Sequence, residues 1–119
     1  PPSSAHRVLV ACDGPRVVGF VASAPVEDGV ELVALEVDPD HQRGGHGSRL
    51  LAACVDLARE TGAGHVRTWV LEGDVAREQF LGAAGLGPDG SRRELASDGP
   101  DVDGAGPRSV AEHRWSAEI

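Results

Sequence analysis

Several residue types that often carry chemistry are scarce in this chain of 119 residues. It has two phenylalanines, two tryptophans, two cysteines and no tyrosine. Cys12 and Cys54 lack the paired spacing of a zinc site or a disulfide framework, and both lie in apolar runs. We therefore expect buried free thiols and no metal site.

Long apolar runs and export signals are also missing. No apolar stretch approaches the roughly 18 residues of a membrane-spanning helix. No signal peptide and no lipidation motif precede the first apolar run. We therefore expect a cytoplasmic protein without a membrane partner.

Positive charge is limited, because 11 basic residues face 19 acidic ones and give a net charge of −8. Nucleic-acid binding needs clustered positive charge that displaces counterions, so we expect no nucleic-acid partner. The length fits one small domain, and 40% apolar residues are enough for a single core. We expect this domain to cover residues 6–119, with residues 1–5 as a linker.

Hydrophobic periodicity predicts the elements along the chain. Two β-rich runs flank an Asp-Gly turn signal and predict a hairpin, and a third run is ended by Pro39. A helical stripe, a fourth strand and a short helix that Asp74 would cap follow. After them we expect a turn at residues 87–91, a strand at 92–96, a loop at 97–109 and a last strand at 110–119. The predicted order is β-β-β-α-β-α-β-β, which indicates an α/β sheet with crossover helices.

The third strand reads GVELVALEV, and its only charged residues are Glu31 and Glu36. Regular alternation would place Glu31, Val33, Leu35 and Val37 on one face. Glu36 would then lie on the opposite face.

Three glycines separate this strand from the helix predicted from Ser48: Gly44, Gly45 and Gly47. Glycines allow the backbone to approach a ligand closely, and a helix N-terminus directs free N–H groups and a positive dipole end into the loop. The combination favours a phosphate-binding loop over a tight turn.

Two other phosphate-binding loops do not fit. A Walker loop ends in Gly-Lys-Ser/Thr, whereas Gly47 is followed directly by Ser48. A dinucleotide fingerprint needs a third glycine where this chain has Leu50. A different nucleotide binder that uses the same cradle is therefore the third-ranked alternative.

The pattern Gln42-x-x-Gly45-x-Gly47, preceded by LEVDPDH, resembles the acyl-CoA loop and the V-x-P strand ending of the GNAT superfamily of N-acetyltransferases. The resemblance implies a mixed, mostly antiparallel sheet with crossover helices. It also implies acetyl-CoA as acyl donor, no metal, and an acceptor amine on a small molecule or a protein. The acceptor itself cannot be identified from the sequence.

The same resemblance implies where the cofactor binds. Main-chain groups of Leu35, Glu36 and Val37 would bond to the acetyl-pantetheine arm. The pyrophosphate would lie against the loop residues Gln42, Arg43, Gly44, Gly45, His46, Gly47 and Ser48. The Arg43 side chain contacts a phosphate or is solvated, and His46 takes a spacer position of the motif. We expect His41 and His65 to be exposed residues at strand ends.

Direct transfer to an amine requires a base, for which a carboxylate is suited. By resemblance Glu31 takes the position of a glutamate base found in the histone-acetylating branch, and Glu36 is the second candidate. The alternative for Glu31 is a solvent-facing residue near the end of a strand.

The second helix resembles the family segment N-x-x-A-x-x-F-Y-x-x-x-G-F, with three departures. Asp74 replaces the asparagine that usually meets CoA, Arg77 replaces a small residue, and Leu81 replaces the tyrosine that commonly protonates the leaving thiolate. Phe80 keeps its place and belongs to the implied cofactor site. The resemblance therefore implies slow turnover in which the thiolate leaves without a dedicated acid.

The family usually begins with a strand and two helices that form a wall of the acceptor site. Only five residues precede the first predicted strand. We expect the wall either to be encoded in a further N-terminal segment or to come from a second copy in a homodimer. The competing functional class is a non-catalytic acyl-CoA-binding domain, or one half of a tandem or dimeric GNAT protein.

Overall fold

The computed structural model describes residues 6–96 and 109–119. The expected linker at 1–5 and almost all of the expected loop at 97–109 lie outside the described residues. The chain forms two compact units. The first comprises the described residues up to Thr68 together with Ala117–Ile119, and the second the described residues from Trp69 to Ser116.

The predicted order of elements is confirmed. The strands and helices are β1 (Arg7–Asp13), β2 (Arg16–Val26), β3 (Gly29–Val37), α1 (His46–Glu60), β4 (His65–Leu71), α2 (Val75–Ala83), β5 (Gly87–Ala96) and β6 (Ser109–Glu118), with a 3-10 turn at Pro39–His41. The hydrogen-bonded order of the strands is β1-β2-β3-β4-β6-β5. The pairs β1–β2, β2–β3 and β5–β6 are antiparallel and β3–β4 is parallel, as the resemblance implied.

The core of the first unit lies between α1 and the sheet. The apolar stripe of α1 buries Leu50, Leu51, Cys54 and Ala58, and the helix packs on β1, β2 and β3. Burial of a leucine-sized side chain stabilises a fold by about 1.5–3 kcal/mol, so this stripe anchors the helix. The N-terminus of α1 is thereby held at the end of β3.

The prediction of two buried thiols is confirmed for one cysteine and wrong for the other. Cys54 is buried, and that burial raises the pKa of its thiol although Ser23 bonds to it. Cys12 is exposed. It alternates with Ala11 on the same outward face as Val8 and Val10, which are also exposed.

The regular alternation predicted for β3 is wrong, because the strand contains a bulge. Ala22 of β2 pairs with Ala34 and Ser23 pairs with Leu32, so Val33 is an extra residue. Glu31 pairs with Ala24 and Glu36 pairs with Phe20, two β2 residues four apart. Glu31 and Glu36 therefore face the same side of the sheet, not opposite sides, and Leu35 faces away from both.

The second unit confirms the predicted cap of α2. The Asp74 carboxylate accepts a hydrogen bond from the Arg77 amide at 3.1 Å. Within this unit α2 buries Leu81, which is 1% exposed.

The turn predicted at residues 87–91 is wrong, because these residues belong to β5. The register with β6 is irregular between Pro88 and Arg92. The intervening residues bulge out of the strand, with Gly90 at a φ of 92° and the Ser91 amide donating to Asp89 Oδ1 at 3.0 Å. The turn-forming residues GPDGS are accommodated by this bulge, and the strand predicted at 92–96 is confirmed.

Candidate active site

The loop between β3 and α1 leaves the sheet through a short, well-bonded turn. The Asp38 amide donates to the Val18 carbonyl at 2.7 Å, which keeps the end of β3 against β2. Asp38 Oδ1 accepts from the Asp40 amide at 3.0 Å and caps the 3-10 turn, which Pro39 begins. These hydrogen bonds hold the end of β3 and the 3-10 turn in one fixed arrangement before the helix.

Two residues in the left-handed region reverse the chain after this turn. Arg43 has a φ of 70° and Gly45 a φ of 82°. Gly45 is the N-cap of α1, and no side chain caps the helix there. The helix begins at His46, two residues earlier than predicted. The Arg49 amide donates a hydrogen bond to the Gly45 carbonyl at 3.0 Å, which is the first backbone hydrogen bond of the helix.

The start of α1 therefore presents open donors to the glycine loop. The first N–H groups of a helix have no partner within it, and here they belong to His46, Gly47 and Ser48. The positive end of the helix dipole lies at the same place. This arrangement fits an anion with several acceptor oxygens, such as a pyrophosphate.

The side chain of Gln42 links the glycine loop to β3. Its side-chain Nε2 donates to the Val37 carbonyl at 3.2 Å. The motif glutamine thus ties the loop to the last residue of β3. This hydrogen bond stabilises the conformation of the loop and keeps the end of β3 next to the glycines.

Arg49 is a site residue that the sequence reasoning missed. Its Nη2 donates to the Gly44 carbonyl at 3.1 Å and lies 3.2 Å from His46 Nδ1. A Cβ built on Gly45 would lie 2.8 Å from Arg49 Nη1, so the guanidinium covers the glycine closely. The available signal was a basic residue in the first turn of a helix, where the dipole disfavours it unless an anion is near.

His41 does not occupy the exposed position predicted for it. Its side chain is 20% exposed, and its Nε2 lies 3.4 Å from Asp13 Oδ2. The imidazole of His46 is close, with 6.4 Å between ring centroids. His65, also predicted to be exposed, is half-buried at the start of β4.

The candidate base Glu31 has a partner. Its Oε1 accepts from Arg67 Nε at 3.1 Å, and the two residues pair across the parallel strands. Glu36, the second candidate, is exposed on the same side of the sheet. The bulge at Val33 is what brings both carboxylates to one face.

The parallel ladder between β3 and β4 is short. It joins Gly29–Leu32 to His65–Thr68, and the Thr68 hydroxyl donates to the Leu32 carbonyl at its end. The bulge residue Val33 follows directly. The part of β3 that the resemblance assigns to the cofactor, Leu35 to Val37, therefore lies beyond this ladder and leads into the glycine loop.

Two residues that the resemblance assigns to the cofactor belong to the second unit. Asp74 caps α2, and Phe80 is half-buried in that helix. Leu81, at the position of the family tyrosine, is fully buried. The structure thus brings together the β3 and loop residues within the first unit.

No charged cluster suited to a metal ion is present within residues 6–96 and 109–119. In the same part of the chain neither helix is long and apolar enough to cross a membrane.

Comparison with solved structures finds acetyltransferases. The ribosomal-protein-S18-alanine N-acetyltransferase from Escherichia coli superposes with a TM-score of 0.75 at 21% identity, over 98% of this chain and 71% of that protein. A putative streptothricin acetyltransferase from Bacillus anthracis str. Ames, in complex with acetyl coenzyme A, gives 0.81 at 17% identity, over 96% and 62%. A putative acetyltransferase from Salmonella typhimurium with its cofactor acetyl-CoA gives 0.73 at 19% identity, over 95% and 64%.

At these identities the likeness shows the fold. The chain spans 62% to 71% of the length of the three proteins. No curated protein matches the sequence. The model of the acetyltransferase (GNAT) family matches residues 2–87, which include β3, the glycine loop and α1. The chain therefore belongs to the GNAT acetyltransferase family.

Proposed function

We propose that this protein is an acetyl-CoA-dependent N-acetyltransferase that acts on an amine of a small molecule or of a protein. The observation that carries the proposal is the open N-terminus of α1 behind the glycine loop. Family membership supports the acyl donor, and two structural neighbours were solved with acetyl-CoA.

The loop amides bind the pyrophosphate in this proposal. The donors are main-chain groups from Arg43 to Ser48, and Gln42 holds the loop in shape through the Val37 carbonyl. Arg49 adds a guanidinium beside the Gly44 carbonyl. Charge-assisted bonds to a phosphate are about twice as strong as neutral ones, so a side chain here raises affinity beyond what the amides supply.

The acetyl-pantetheine arm lies along the end of β3, where Leu35, Glu36 and Val37 offer main-chain groups. This direction is supported by the end of the parallel ladder at Leu32 and by the fixed path from Val37 into the loop. Asp74 and Phe80 complete the proposed cofactor contacts, as in the family segment that they resemble. Each of these assignments can be tested by substitution.

In the reaction the acceptor nitrogen forms a bond to the thioester carbonyl carbon and the C–S bond breaks. The nitrogen loses one proton to a base, and the thiolate gains one. The candidate bases are Glu31 and Glu36, which face one side of the sheet. Because a thiol has a reference pKa of about 8.5, the thiolate can leave without the acid that tyrosine supplies elsewhere in the family.

The Arg67 ion pair favours a different role for Glu31. The Glu31 carboxylate is held by the Arg67 guanidinium at 3.1 Å, and an ion pair between two neighbouring strands is a structural role. This contact and the buried Leu81 favour the second candidate function, a non-catalytic acyl-CoA-binding domain. That alternative retains the phosphate loop and predicts cofactor binding without acetyl transfer.

A homodimer is part of the proposal as the assembly that supplies the acceptor wall. Val8, Val10 and Phe20 are exposed on one face of the sheet, and cross-strand pairing of Val10 with Phe20 makes this face continuous. Apolar faces of this kind are commonly covered in an assembly. Multi-angle light scattering should give twice the 12.3 kDa of one chain, and a monomer at all concentrations would exclude the dimer.

Two glycines provide the decisive experiment on the cofactor site. Gly45 and Gly62 have φ values of 82° and 84°, but only Gly45 lies in the loop. A Cβ at Gly45 meets Arg49, whereas a Cβ at Gly62 meets nothing within 4 Å. Alanine at either position costs roughly 1 kcal/mol of backbone strain, so the two variants are matched in backbone strain, and only the Gly45 variant also displaces the end of the Arg49 side chain.

Isothermal titration with acetyl-CoA should therefore separate them. We expect Gly45→Ala to weaken binding at least about tenfold, which corresponds to about 1.4 kcal/mol, and Gly62→Ala to bind as the wild type does. Equal binding by all three proteins would remove the glycine loop from the cofactor site.

A further inference from the structure

The first strand lies at one edge of the sheet. β1 stands at the end of the strand order, and within the residues that the structure describes it pairs only with β2. An edge strand carries a row of backbone N–H and C=O groups to which another strand can bond. The edge of β1 is therefore a surface on which a second chain can add a strand.

The strand at the other end of the order is protected against such pairing, whereas β1 is not. β5 contains Pro88, a bulge and the charged run of residues 92–94. Prolines, bulges and charged side chains are the features by which edge strands avoid a partner. Between its two end residues β1 is apolar throughout, and its Val8 and Val10 are 68% and 56% exposed.

The contacts of β3 show which way the backbone groups of β2 point. In a trans peptide the C=O and the following N–H point in opposite directions. The Asp38 amide donates to β2, so the Val37 carbonyl points away from β2, where Gln42 bonds to it. Backbone groups alternate along a strand, so Glu36 directs its N–H and C=O towards its partner Phe20 on β2.

The same alternation shows which backbone groups of β1 are on the open edge. Phe20 faces β3, so its neighbour Val21 faces β1, where it pairs with Leu9. Leu9 in turn faces β2. Val8 and Val10, on either side of Leu9, therefore direct their N–H and C=O groups to the open edge.

The sequence of β1 is complementary to itself in antiparallel orientation. The strand reads RVLVACD, and Val10 is its middle residue. Pairing of two copies about this residue sets apolar side chains opposite apolar side chains: Val10 opposite Val10, Val8 opposite Cys12, and Leu9 opposite Ala11. At both ends it sets Arg7 of one chain opposite Asp13 of the partner subunit. A two-fold symmetric interface requires this kind of self-complementarity.

Other two-fold registers do not match the charges. A centre at Leu9 would set Arg7 opposite Ala11, and a centre at Ala11 would set Asp13 opposite Leu9. Directly opposite residues have their Cβ atoms about 4.5–5.5 Å apart, and opposite charges at such positions stabilise the pairing. The charges at the two ends of the strand therefore select the register about Val10.

We propose that β1 pairs with β1 of a second copy of this chain, antiparallel and centred on Val10, and so joins the two sheets along their edges. Val8 and Val10 form backbone hydrogen bonds across the junction, and their exposed side chains form one apolar strip with those of the partner subunit. Arg7 of each chain pairs with Asp13 of the partner subunit. This interface specifies, and rests on, the homodimer of the proposed function.

Two exposed valines test the position of the interface. In Val10→Lys the symmetric pairing sets two ammonium groups directly opposite each other, which disfavours the dimer. Val33→Lys is the matched control, because Val33 is also an exposed strand residue, at 58%, but lies on β3. Multi-angle light scattering over a range of concentrations should give a dimer for the wild type and for Val33→Lys, and a dissociation constant at least about tenfold higher for Val10→Lys. A monomeric wild type, or an equal effect of the two lysines, would overturn the proposal.

Reversal of the charges tests the register. Arg7→Glu and Asp13→Lys each set like charges opposite each other at both ends of the homodimer, so each should raise the dissociation constant about tenfold. A mixture of the two variants restores opposite charges at both ends and should form heterodimers about as tightly as the wild type dimerises. The absence of any gain on mixing would overturn the register.

A disulfide tests the same register without a change of charge. In Val8→Cys the new thiol lies opposite Cys12 of the partner subunit, with Cα atoms about 5.5 Å apart, which is within the range of a disulfide. Mild oxidation should cross-link Val8→Cys into a dimer, and should cross-link neither the wild type nor Val33→Cys. Equal cross-linking of all three proteins, or of none, would overturn the pairing.

None of these measurements involves acetyl-CoA, so the two proposals can fail separately. Acetyl-CoA binding without the expected pattern of dimers would overturn the strand pairing and support the cofactor site. The expected pattern of dimers without acetyl-CoA binding would support the strand pairing and overturn the proposed function.

Discussion

At the scale of single residues, the glycine loop depends on the first backbone N–H groups of α1 and on one arginine side chain that lies across the loop. Gly45 begins α1 without a side-chain cap, and Arg49 spans the loop by bonding to the Gly44 carbonyl. A helix dipole disfavours a cation in the first turn by roughly 0.3–1 kcal/mol. Without a bound anion, Arg49 in this position lowers the stability of the helix. A bound anion would offset this effect by attracting the guanidinium.

Substitution of Arg49 by glutamine should reduce affinity for acetyl-CoA by about threefold to tenfold, because it removes one charge-assisted contact. The melting temperature of the free protein should stay equal or rise slightly. The matched control is Arg59→Gln, since Arg59 lies in the last turn of the same helix and pairs with Asp56 on the surface. A loss of affinity in the control of the same size would show that only net charge matters.

The candidate bases give a second prediction at this scale. If acetyl transfer is observed, the carboxylate that takes the proton should be the one whose change to glutamine removes the base-dependent limb of the pH–rate profile. We expect the rate of acetyl transfer to fall by about 10² in Glu31→Gln or in Glu36→Gln. The fall in rate should be smaller in Arg67→Gln, which frees Glu31 from its ion pair. Profiles that are unchanged in both glutamate variants would remove both assignments.

At the scale of elements, the ends of the helices and the irregularities of the strands decide where the functional groups lie. The cap of α2 is a case in which local chemistry is sufficient. Asp74 accepts from the Arg77 amide, and loss of such a cap costs about 1 kcal/mol.

Asp74 therefore allows stability and cofactor affinity to be separated. Asp74→Ala should lower the free energy of unfolding by about 1 kcal/mol, whereas Asp74→Asn should leave it within about 0.5 kcal/mol because asparagine also caps helices. If Asp74 meets the cofactor as proposed, Asp74→Asn should bind acetyl-CoA more tightly, since it removes a negative charge near a phosphate ligand. Denaturant unfolding and calorimetric titration measure the two effects. Unchanged affinity in Asp74→Asn would leave the residue with its capping role alone.

The bulge in β5 gives a pH-dependent contribution to stability. Burial opposes ionisation of Asp89, but the hydrogen bond from Arg114 at 2.7 Å and the Ser91 amide outweigh it and lower the pKa of Asp89 to about 2. A carboxylate with a depressed pKa stabilises the folded state fully above its unfolded pKa of about 3.9, and this stabilisation is lost as the pH falls towards 2.

Asp89→Asn should therefore destabilise the protein by about 1–2 kcal/mol at pH 6 and progressively less between pH 4 and pH 2. Asp56→Asn, which alters an exposed pair on α1, is the control and should have little effect at any pH. Urea unfolding across this range would contradict the account if the difference between wild type and Asp89→Asn did not shrink on acidification.

The elements themselves could be predicted from the sequence, but the faces of β3 could not. The order of strands and helices, the glycine loop and the Asp74 cap follow from periodicity and local chemistry. The stretch GVELVALEV also fits a regular strand, so the bulge at Val33 emerges only from its register with β2. The environment of His41 depends in the same way on Asp13, which is distant in sequence.

At the scale of the whole molecule, family membership is shown and activity is proposed. The fold is that of structures with TM-scores of 0.73 to 0.81, while the chain spans 62% to 71% of their lengths. What this chain supplies within its first unit is a fixed strand end, a glycine loop and the open end of a helix. We propose that these features bind the cofactor, and a panel of amines would identify the acceptor.

Calorimetric titration with acetyl-CoA, run beside ATP and NAD, tests the central claim most directly. We expect saturable binding of acetyl-CoA at one site and a rise in melting temperature, since a ligand at a hundred times its dissociation constant stabilises a protein by about 2.7 kcal/mol. Binding should be lost or strongly weakened in Gly45→Ala and retained in Gly62→Ala. The absence of any heat or melting shift with millimolar acetyl-CoA, while ATP or NAD binds, would contradict the account.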